Sequence, residues 1–155
     1  MKTIGITGPT GCGKTTFLQE IAAHGGVIVA CDALYYEALD TLNEIVLLHV
    51  GAAVEKLRAQ AKKDGKPLFA IDAINLLESG MGNGCDVTVG ILAPKPVRLA
   101  RIMARDHLSE QAARARIDAQ TPDEFYRTGC QVLLTNDTSL EAFRDASRRL
   151  LNDIT

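Results

Sequence analysis

Near its N-terminus the chain carries the pattern Gly, four residues, Gly-Lys-Thr, and this pattern restricts the possible fold strongly. Its residues are Gly8, Pro9, Thr10, Gly11, Cys12, Gly13, Lys14 and Thr15, followed by Thr16. Glycines let a loop curl so that successive backbone N–H groups face the oxygens of a phosphate. In this pattern the lysine reaches the outer phosphates and the Thr15 hydroxyl binds Mg²⁺. The pattern therefore predicts a phosphate-binding loop.

A phosphate-binding loop of this kind connects a strand to a helix, and the residues on its two sides predict both elements. Residues 2–7 are typical of a short buried strand, and Phe17, Leu18 and Ile21 after the loop have helical spacing. A helix that starts at the loop turns its positive N-terminal end toward the bound anion. The fingerprint of dinucleotide-binding proteins fits less well, because Thr16 stands where its third glycine should be.

Short apolar segments alternate with helical patterns along the whole chain. The five segments, all rich in Val, Ile or Leu, are Lys2–Thr7, Val27–Ala30, Leu68–Ile71, Val87–Leu92 and Gln131–Thr135. This alternation predicts an α/β domain with a five-stranded parallel sheet and helices on both faces. We see no Pro/Gly/Ser-rich linker, so residues 1–155 are expected to form a single domain.

Three helix starts are predicted from capping residues. Ser109 is expected to cap a helix over residues 110–119. Capping boxes that begin at Thr121 and at Thr138 predict two further helices, the second at the C-terminus.

Charge, hydropathy and cysteine usage exclude several classes of protein. The net charge of −2 gives no sign of a nucleic-acid partner, and the longest near-apolar stretch, residues 45–54, is too short for a bilayer. The first predicted strand begins directly after Met1, so we see no signal peptide and expect a cytoplasmic protein. The four cysteines lack metal-site spacing and are expected to be reduced. Cys12 lies at a helix N-terminus, which can lower a thiol pKa, and its redox sensitivity is open.

Two acidic residues follow predicted strands directly. Asp32 comes after the second strand and Asp72 after the third. Ligands of open parallel sheets bind at the carboxyl ends of the strands, so both acids are expected near the phosphate loop. One could take a proton from an acceptor hydroxyl while the other holds Mg²⁺ through water. Asp32 as a plain helix cap, and Asp72 as a turn residue, are the alternatives.

A local concentration of arginine suggests a lid over a triphosphate. Residues 95–116 contain six basic and two acidic side chains in a chain of net charge −2. Arg98, Arg101 and Arg105 have the spacing of one helix face, and a second helix carries Arg114 and Arg116. Arginines stabilise charge on a transferring phosphoryl group, so we predict a helical lid over residues 98–120. A solvated charged surface is the alternative.

These features together predict phosphoryl transfer with ATP as the donor. The chain has no Asn-Lys-x-Asp motif for reading guanine, and the residues after Asp72 lack the glycine of a GTPase switch. ATP is therefore favoured over GTP.

Three blocks of the sequence resemble the dephospho-CoA kinase family, a nucleotide-kinase branch of the P-loop proteins. They are residues 4–16 with the phosphate loop, residues 69–80 with Asp72 and Leu-Leu-Glu, and residues 101–120, which look like the family's lid. The resemblance implies a three-layer P-loop NTPase fold with a small helical lid. It also implies transfer of phosphate from ATP, with Mg²⁺, to the ribose 3′-hydroxyl of dephospho-CoA.

The resemblance also implies roles for single residues. Asp32 matches the family's presumed catalytic base, and Lys14 and Thr15 match its phosphate and Mg²⁺ positions. For Asp72 the Mg²⁺ role rests on its position after the third predicted strand. Nucleotide-binding positions are implied along the whole loop, Gly8 to Thr16, and at Arg105, Arg101, Arg116 and Asn136, the last in the adenine-contacting loop.

The middle of the chain departs from the family pattern. Only 40 positions separate Asp32 from Asp72, so residues 33–64 make a reduced acceptor-binding helical segment, and Ala30 replaces the first acid of the family's Asp-Ala-Asp. Two alternatives therefore stay open, a kinase for a smaller nucleotide, nucleoside or metabolite and an ATP-binding regulatory module that transfers nothing. The sequence does not determine the oligomeric state.

Overall fold

Five parallel strands form one sheet in the order β2-β3-β1-β4-β5. The computed structural model describes residues 1–32, 34 and 43–155. The strands are β1 (Lys2–Thr7), β2 (Val27–Ala30), β3 (Leu68–Asp72), β4 (Val87–Leu92) and β5 (Val132–Thr135). The predicted five-stranded parallel sheet is therefore confirmed.

Helices connect the strands, as the alternating pattern predicted. The described helices are α1 (Lys14–Ala23), α2 (Asn43–Lys63), α3 (Lys95–Asp106), α4 (Glu110–Asp118), α5 (Asp123–Gly129) and α6 (Leu140–Ile154), with a 3-10 turn at Met81–Gly84. Of the predicted acceptor-binding segment, α2 is seen, whereas residues 33 and 35–42 lie outside the described residues. No described helix combines the length and the apolar character needed to cross a membrane.

The sheet is buried on both faces, which explains its continuous apolar strands. Along β3, Leu68 and Ala70 pack with residues of α1 and α6, while Phe69 and Ile71 pack with residues of α2. Successive side chains of a strand point to opposite faces, so a strand covered on both sides needs apolar residues at every position.

The strand register brings the predicted site residues to one edge. Thr7 pairs with Gly90 on one side of β1, and Ala30 pairs with Asp72 across β2 and β3. Because the strands are parallel, the phosphate loop after β1 lies at the same edge as Asp32 and Asp72. This is the carboxyl edge, where such sheets bind ligands.

One of the three predicted helix caps is confirmed, and two are wrong by one residue. The Ser109 hydroxyl accepts a hydrogen bond from the Ala112 N–H. At the C-terminal helix the cap is Ser139, not Thr138, and it accepts from the Ala142 N–H at 3.1 Å. The helix expected after Thr121 begins at Asp123 with Pro122 as its cap, and no side-chain hydrogen bond caps it. Neighbouring residues that can both cap a helix leave its start uncertain by one position.

Candidate functional site

The predicted phosphate loop lines a cavity of about 350 Å³ at the carboxyl edge of the sheet. Its lining residues are Pro9, Thr10, Gly11, Cys12, Gly13, Lys14, Thr15, Arg101 and Arg105. The structure therefore brings the N-terminal motif and two of the predicted lid arginines to one place. A cavity lined by a glycine-rich loop, one lysine and two arginines is suited to a polyphosphate.

Side chains hold three successive carbonyl groups of the loop. The Thr10 carbonyl accepts from Arg98 Nε at 3.0 Å, and the Gly11 carbonyl accepts from Arg101 Nη1 at 3.0 Å. The Cys12 carbonyl accepts from Asn136 Nδ2 at 3.1 Å. The two polar groups of a trans peptide point in opposite directions, so the N–H groups of Gly11 and Gly13 point away from Arg98 and Asn136. The loop is thereby shaped as an anion-binding concavity.

Gly13 lies where a side chain has no room. Its φ is +103°, and a Cβ at this position would lie 2.2 Å from Asn136 Nδ2. Asn136 is 3% exposed, so it cannot simply swing into solvent.

We expect Gly13→Ala to destabilise the protein by about 1–2 kcal/mol or more, because alanine is strained in the left-handed region and would displace Asn136. Chemical denaturation measures the change in unfolding free energy. Gly51→Ala is the matched control, since Gly51 lies within α2 and a Cβ added there would have no atom within 4 Å. It should stabilise by up to about 1 kcal/mol. Equal effects of the two substitutions would contradict the contact.

Lys14 and Asp72 face each other beside the loop. Lys14 Nζ lies 3.7 Å from Asp72 Oδ1, and each side chain is 20% exposed. Burial raises the pKa of Asp72, and the negative charge of Asp32 adds to the rise, while Lys14 opposes it. Asp32 itself is exposed and lies two residues after β2 ends, in a helical conformation. The two predicted acids are therefore close enough to affect each other.

The residues at this edge fit a Mg²⁺ ion that also binds phosphate. Asp72 Oδ1 is buried and makes no hydrogen bond within the described part of the chain, and the Thr15 side chain is exposed at the loop. No described group of three or more His, Cys, Asp or Glu side chains could hold a metal alone. Mg²⁺ usually takes one or two carboxylates together with substrate phosphates and waters, so this sparse set of ligands suits it.

The raised pKa of Asp72 predicts a pH dependence of stability. The folded protein binds this proton more tightly than the unfolded chain, so the unfolding free energy should decrease as the pH rises from about 4 through the raised pKa. Asp72→Asn should remove this decrease, as measured by denaturant unfolding across a pH series. Asp153→Asn, at an exposed position of α6, should keep the wild-type profile. An unchanged profile in Asp72→Asn would contradict the assignment.

The predicted lid consists of α3 and α4, joined at a residue with left-handed backbone. His107 has φ of +53° and ends α3. Arg105 and Arg116, from the two helices, both pair with Asp106. The hydrogen bond from Arg105, with a contribution from Arg116, lowers the pKa of Asp106 to about 2. Both arginines are largely exposed, at 58% for Arg105 and 44% for Arg116, so they can exchange this carboxylate for phosphate.

Arg98 does not belong to the exposed arginines, in contrast to the single charged face that the spacing predicted. Its side chain is 2% exposed and contacts the loop, Gln120 and Asp123. The role of Gln120 was missed from the sequence, because a lone glutamine carries no recognisable signal.

Cys12 is not an activated thiol. It is 1% exposed, and burial raises its pKa above the usual range although Lys14 and Arg98 oppose the rise. The helix N-terminus does not overcome this loss of solvation.

Comparison with known sequences identifies relatives over nearly the whole chain. The family model described as dephospho-CoA kinase matches residues 35–142. A dephospho-CoA kinase from Salinibacter ruber is 30% identical, with 97% of this chain and 96% of that protein covered. One from Lactiplantibacillus plantarum is 33% identical, with 84% of this chain and 64% of that protein covered.

Comparison with solved structures identifies the same architecture. A crystal structure of a Thermus thermophilus protein has a TM-score of 0.82 and 25% identity, and covers 99% of this chain and 98% of that one. Dephospho-CoA kinase from Campylobacter jejuni has a TM-score of 0.63 at 19% identity, with 99% and 97% covered. A shikimate kinase from Acinetobacter baumannii, at 18% identity and a TM-score of 0.62, shares the fold, with 99% and 93% covered.

Proposed function

Since the chain belongs to the dephospho-CoA kinase family, we propose that it transfers the terminal phosphoryl group of ATP to the ribose 3′-hydroxyl of dephospho-CoA. The observation that carries this function is the cavity in which the phosphate loop meets Arg101 and Arg105. A cytoplasmic location, where ATP is supplied, is part of the proposal.

The loop and the lid arginines bind the phosphates of ATP. Backbone N–H groups of the loop face the phosphate oxygens, and Lys14 neutralises the outer phosphates. Arg105 stabilises charge on the transferring group, and Arg101 and Arg116 support it from the lid. The cavity that Lys14 and Arg105 line together supports these roles. The adenine contact of Asn136 stays a prediction, whereas its hydrogen bond to the Cys12 carbonyl is a contact of the structure.

Thr15 and Asp72 would hold Mg²⁺. The Oδ1 atom of Asp72 supports this assignment, because it is buried, accepts no hydrogen bond within the described residues and has only the Lys14 ammonium 3.7 Å away. When bound, the ion neutralises charge on the phosphate oxygens of ATP. Burial raises the pKa of Asp72, and the positive charge of Lys14 opposes this rise and so favours the ionised carboxylate.

Asp32 takes the proton of the acceptor hydroxyl. It follows β2 at the edge where Asp72 ends β3, and its side chain is exposed. A carboxylate in this position orients the hydroxyl for in-line attack and accepts its proton as the bond to phosphorus forms. The lid, over residues 98–120, then excludes water from the transferring group.

This chain is shorter than a relative, and the reduced acceptor-binding segment predicted at residues 33–64 is one place where the difference could lie. The alignment with the Salinibacter ruber kinase extends over 191 residues, whereas this chain has 155. The relative therefore carries segments that this chain lacks. A smaller acceptor is the second candidate function, and this difference in length favours testing it directly.

The test is mass spectrometry of dephospho-CoA incubated with Mg-ATP and the purified chain. A gain of one phosphate, lost on fragmentation from the ribose, is the expected result. A panel of smaller nucleotides, nucleosides and sugar alcohols runs in parallel. Phosphorylation of a panel member but not of dephospho-CoA would replace the proposed acceptor, and ATP binding without any product would leave only a regulatory nucleotide-binding role.

A further inference from the structure

A buried arginine joins the phosphate loop to the lid. Arg98 is 2% exposed although it lies on α3, whose neighbouring arginine positions reach solvent. Burial of a guanidinium is costly unless its nitrogens are bonded to polar or charged groups. The groups that Arg98 contacts therefore show which parts of the chain its buried side chain connects.

Each of the three guanidinium nitrogens of Arg98 has its own partner. Nε donates to the Thr10 carbonyl at 3.0 Å, and Nη2 donates to Gln120 Oε1 at 2.6 Å. Nη1 lies 3.5 Å from Asp123 Oδ1. Three chain segments, the phosphate loop, the end of the lid and the start of α5, thus meet at one side chain.

Both backbone polar groups of Thr10 are fixed by this arrangement. Its carbonyl accepts from Arg98, and its N–H donates to Gln120 Oε1 at 3.3 Å, the same oxygen that Arg98 contacts. The helix backbone also lies directly against the next residue, because a Cβ on Gly11 would be 3.1 Å from the Arg98 carbonyl oxygen. The loop therefore has little freedom on the side facing α3.

We propose that Arg98 is a positioning residue, which with Gln120 holds the phosphate loop in its anion-binding shape before the nucleotide arrives. It contacts no phosphate in this role and acts through the backbone of Thr10. A loop that is already ordered loses less conformational freedom when the nucleotide binds, so the affinity rises without a new contact.

The loss of Arg98 should act on the phosphate end of the nucleotide. Thr10 belongs to the phosphate loop, so the loss of Arg98 should weaken binding of any ligand held through its phosphates. Affinity for the acceptor should not change. The expected change in KM rests on the proposed function, because it requires phosphoryl transfer. The expected change in Kd does not, because nucleotide binding is measured without transfer.

The experiment compares Arg98→Met with the wild-type protein by calorimetry, with ATP and inorganic tripolyphosphate as ligands. Methionine replaces the apolar stem of the arginine side chain and has no hydrogen-bond donors. We expect the Kd of both ligands to rise by the same factor, about tenfold to a hundredfold, which corresponds to a loop that has its binding shape in about one tenth to one hundredth of the free variant molecules. In steady-state assays the KM for ATP should rise while the KM for the acceptor is unchanged.

Two further variants separate positioning from general stability. Arg148→Met removes a half-exposed arginine that donates to Glu20 at 2.9 Å, away from the loop, and should leave both Kd values unchanged. Gln120→Met removes the oxygen that Thr10 and Arg98 share and should weaken tripolyphosphate binding, whereas Gln120→Glu, which keeps an acceptor, should largely restore it.

Unchanged tripolyphosphate affinity in folded Arg98→Met would overturn the proposal. If Arg98→Met does not fold, unchanged affinity in Gln120→Met overturns it instead. A wild-type protein that binds ATP but phosphorylates no dephospho-CoA would refute the proposed function and leave this inference intact.

Discussion

Lys14→Ala should lower kcat for phosphoryl transfer by at least about 10²–10³, the cost of removing one preorganised electrostatic group from a transition state. Lys14 lines the cavity with the loop and lies 3.7 Å from Asp72 Oδ1. Its loss removes the positive charge nearest the outer phosphates and also raises the pKa of Asp72 further, because Lys14 opposes the effect of burial. Both consequences weaken the site for a charged phosphoryl group.

The rate is measured as product formation with Mg-ATP at saturating acceptor. Lys66→Ala is the matched control, because Lys66 is exposed and precedes β3, at the opposite edge of the sheet from the loop. It should retain full activity. A Lys14→Ala protein with wild-type kcat would mean that the cavity is not the site of transfer.

Asp32→Asn should lower kcat by about 10²–10⁴, the usual contribution of a general base. The amide keeps the shape of the side chain but cannot accept the hydroxyl proton. Asp32 is exposed just after β2, and its charge affects the pKa of Asp72 at the end of the neighbouring strand β3. Removing that charge should leave ATP binding intact, since Asp32 does not line the cavity of the loop.

If Asp32 is the general base, Asp32→Asn should bind ATP normally but transfer phosphate slowly. Calorimetric ATP affinity near the wild-type value, together with lost turnover, supports the assignment as base. Asp64→Asn, at an exposed residue before β3, serves as a control and should change neither quantity. Wild-type turnover in Asp32→Asn would limit Asp32 to a structural role in the segment after β2.

The sheet could be predicted from the sequence because its signals are local. β1, β2 and β4 have the predicted bounds, since each is a run of residues that must be apolar on both faces. The strand order is not a local property and was not predicted. Helix starts were missed by one residue at Ser139, where Thr138 was an equally suitable cap in the sequence.

Site residues that belong to a recognisable sequence pattern were predicted. The properties of residues whose role depends on burial were not. The motif and the strand ends gave Lys14, Asp32 and Asp72. Arg98 looked like one member of a charged face, and only the structure shows it 2% exposed, with a partner 88 positions away in Thr10. Cys12 was considered as an activated thiol, but desolvation raises its pKa, and desolvation depends on the packing of the whole domain.

The three carbonyl contacts of the loop have a consequence for folding. The loop motif lies within a short local segment, yet its donors Arg98, Arg101 and Asn136 lie 88, 90 and 124 positions away along the chain. Each of these contacts closes a long stretch of chain into a loop, and its entropic cost is offset only when the rest of the domain packs as well. A peptide of residues 1–24 would contain every residue of the motif and none of these donors. Phosphate binding is therefore a property of the completed sheet, acquired in the same cooperative step as the fold.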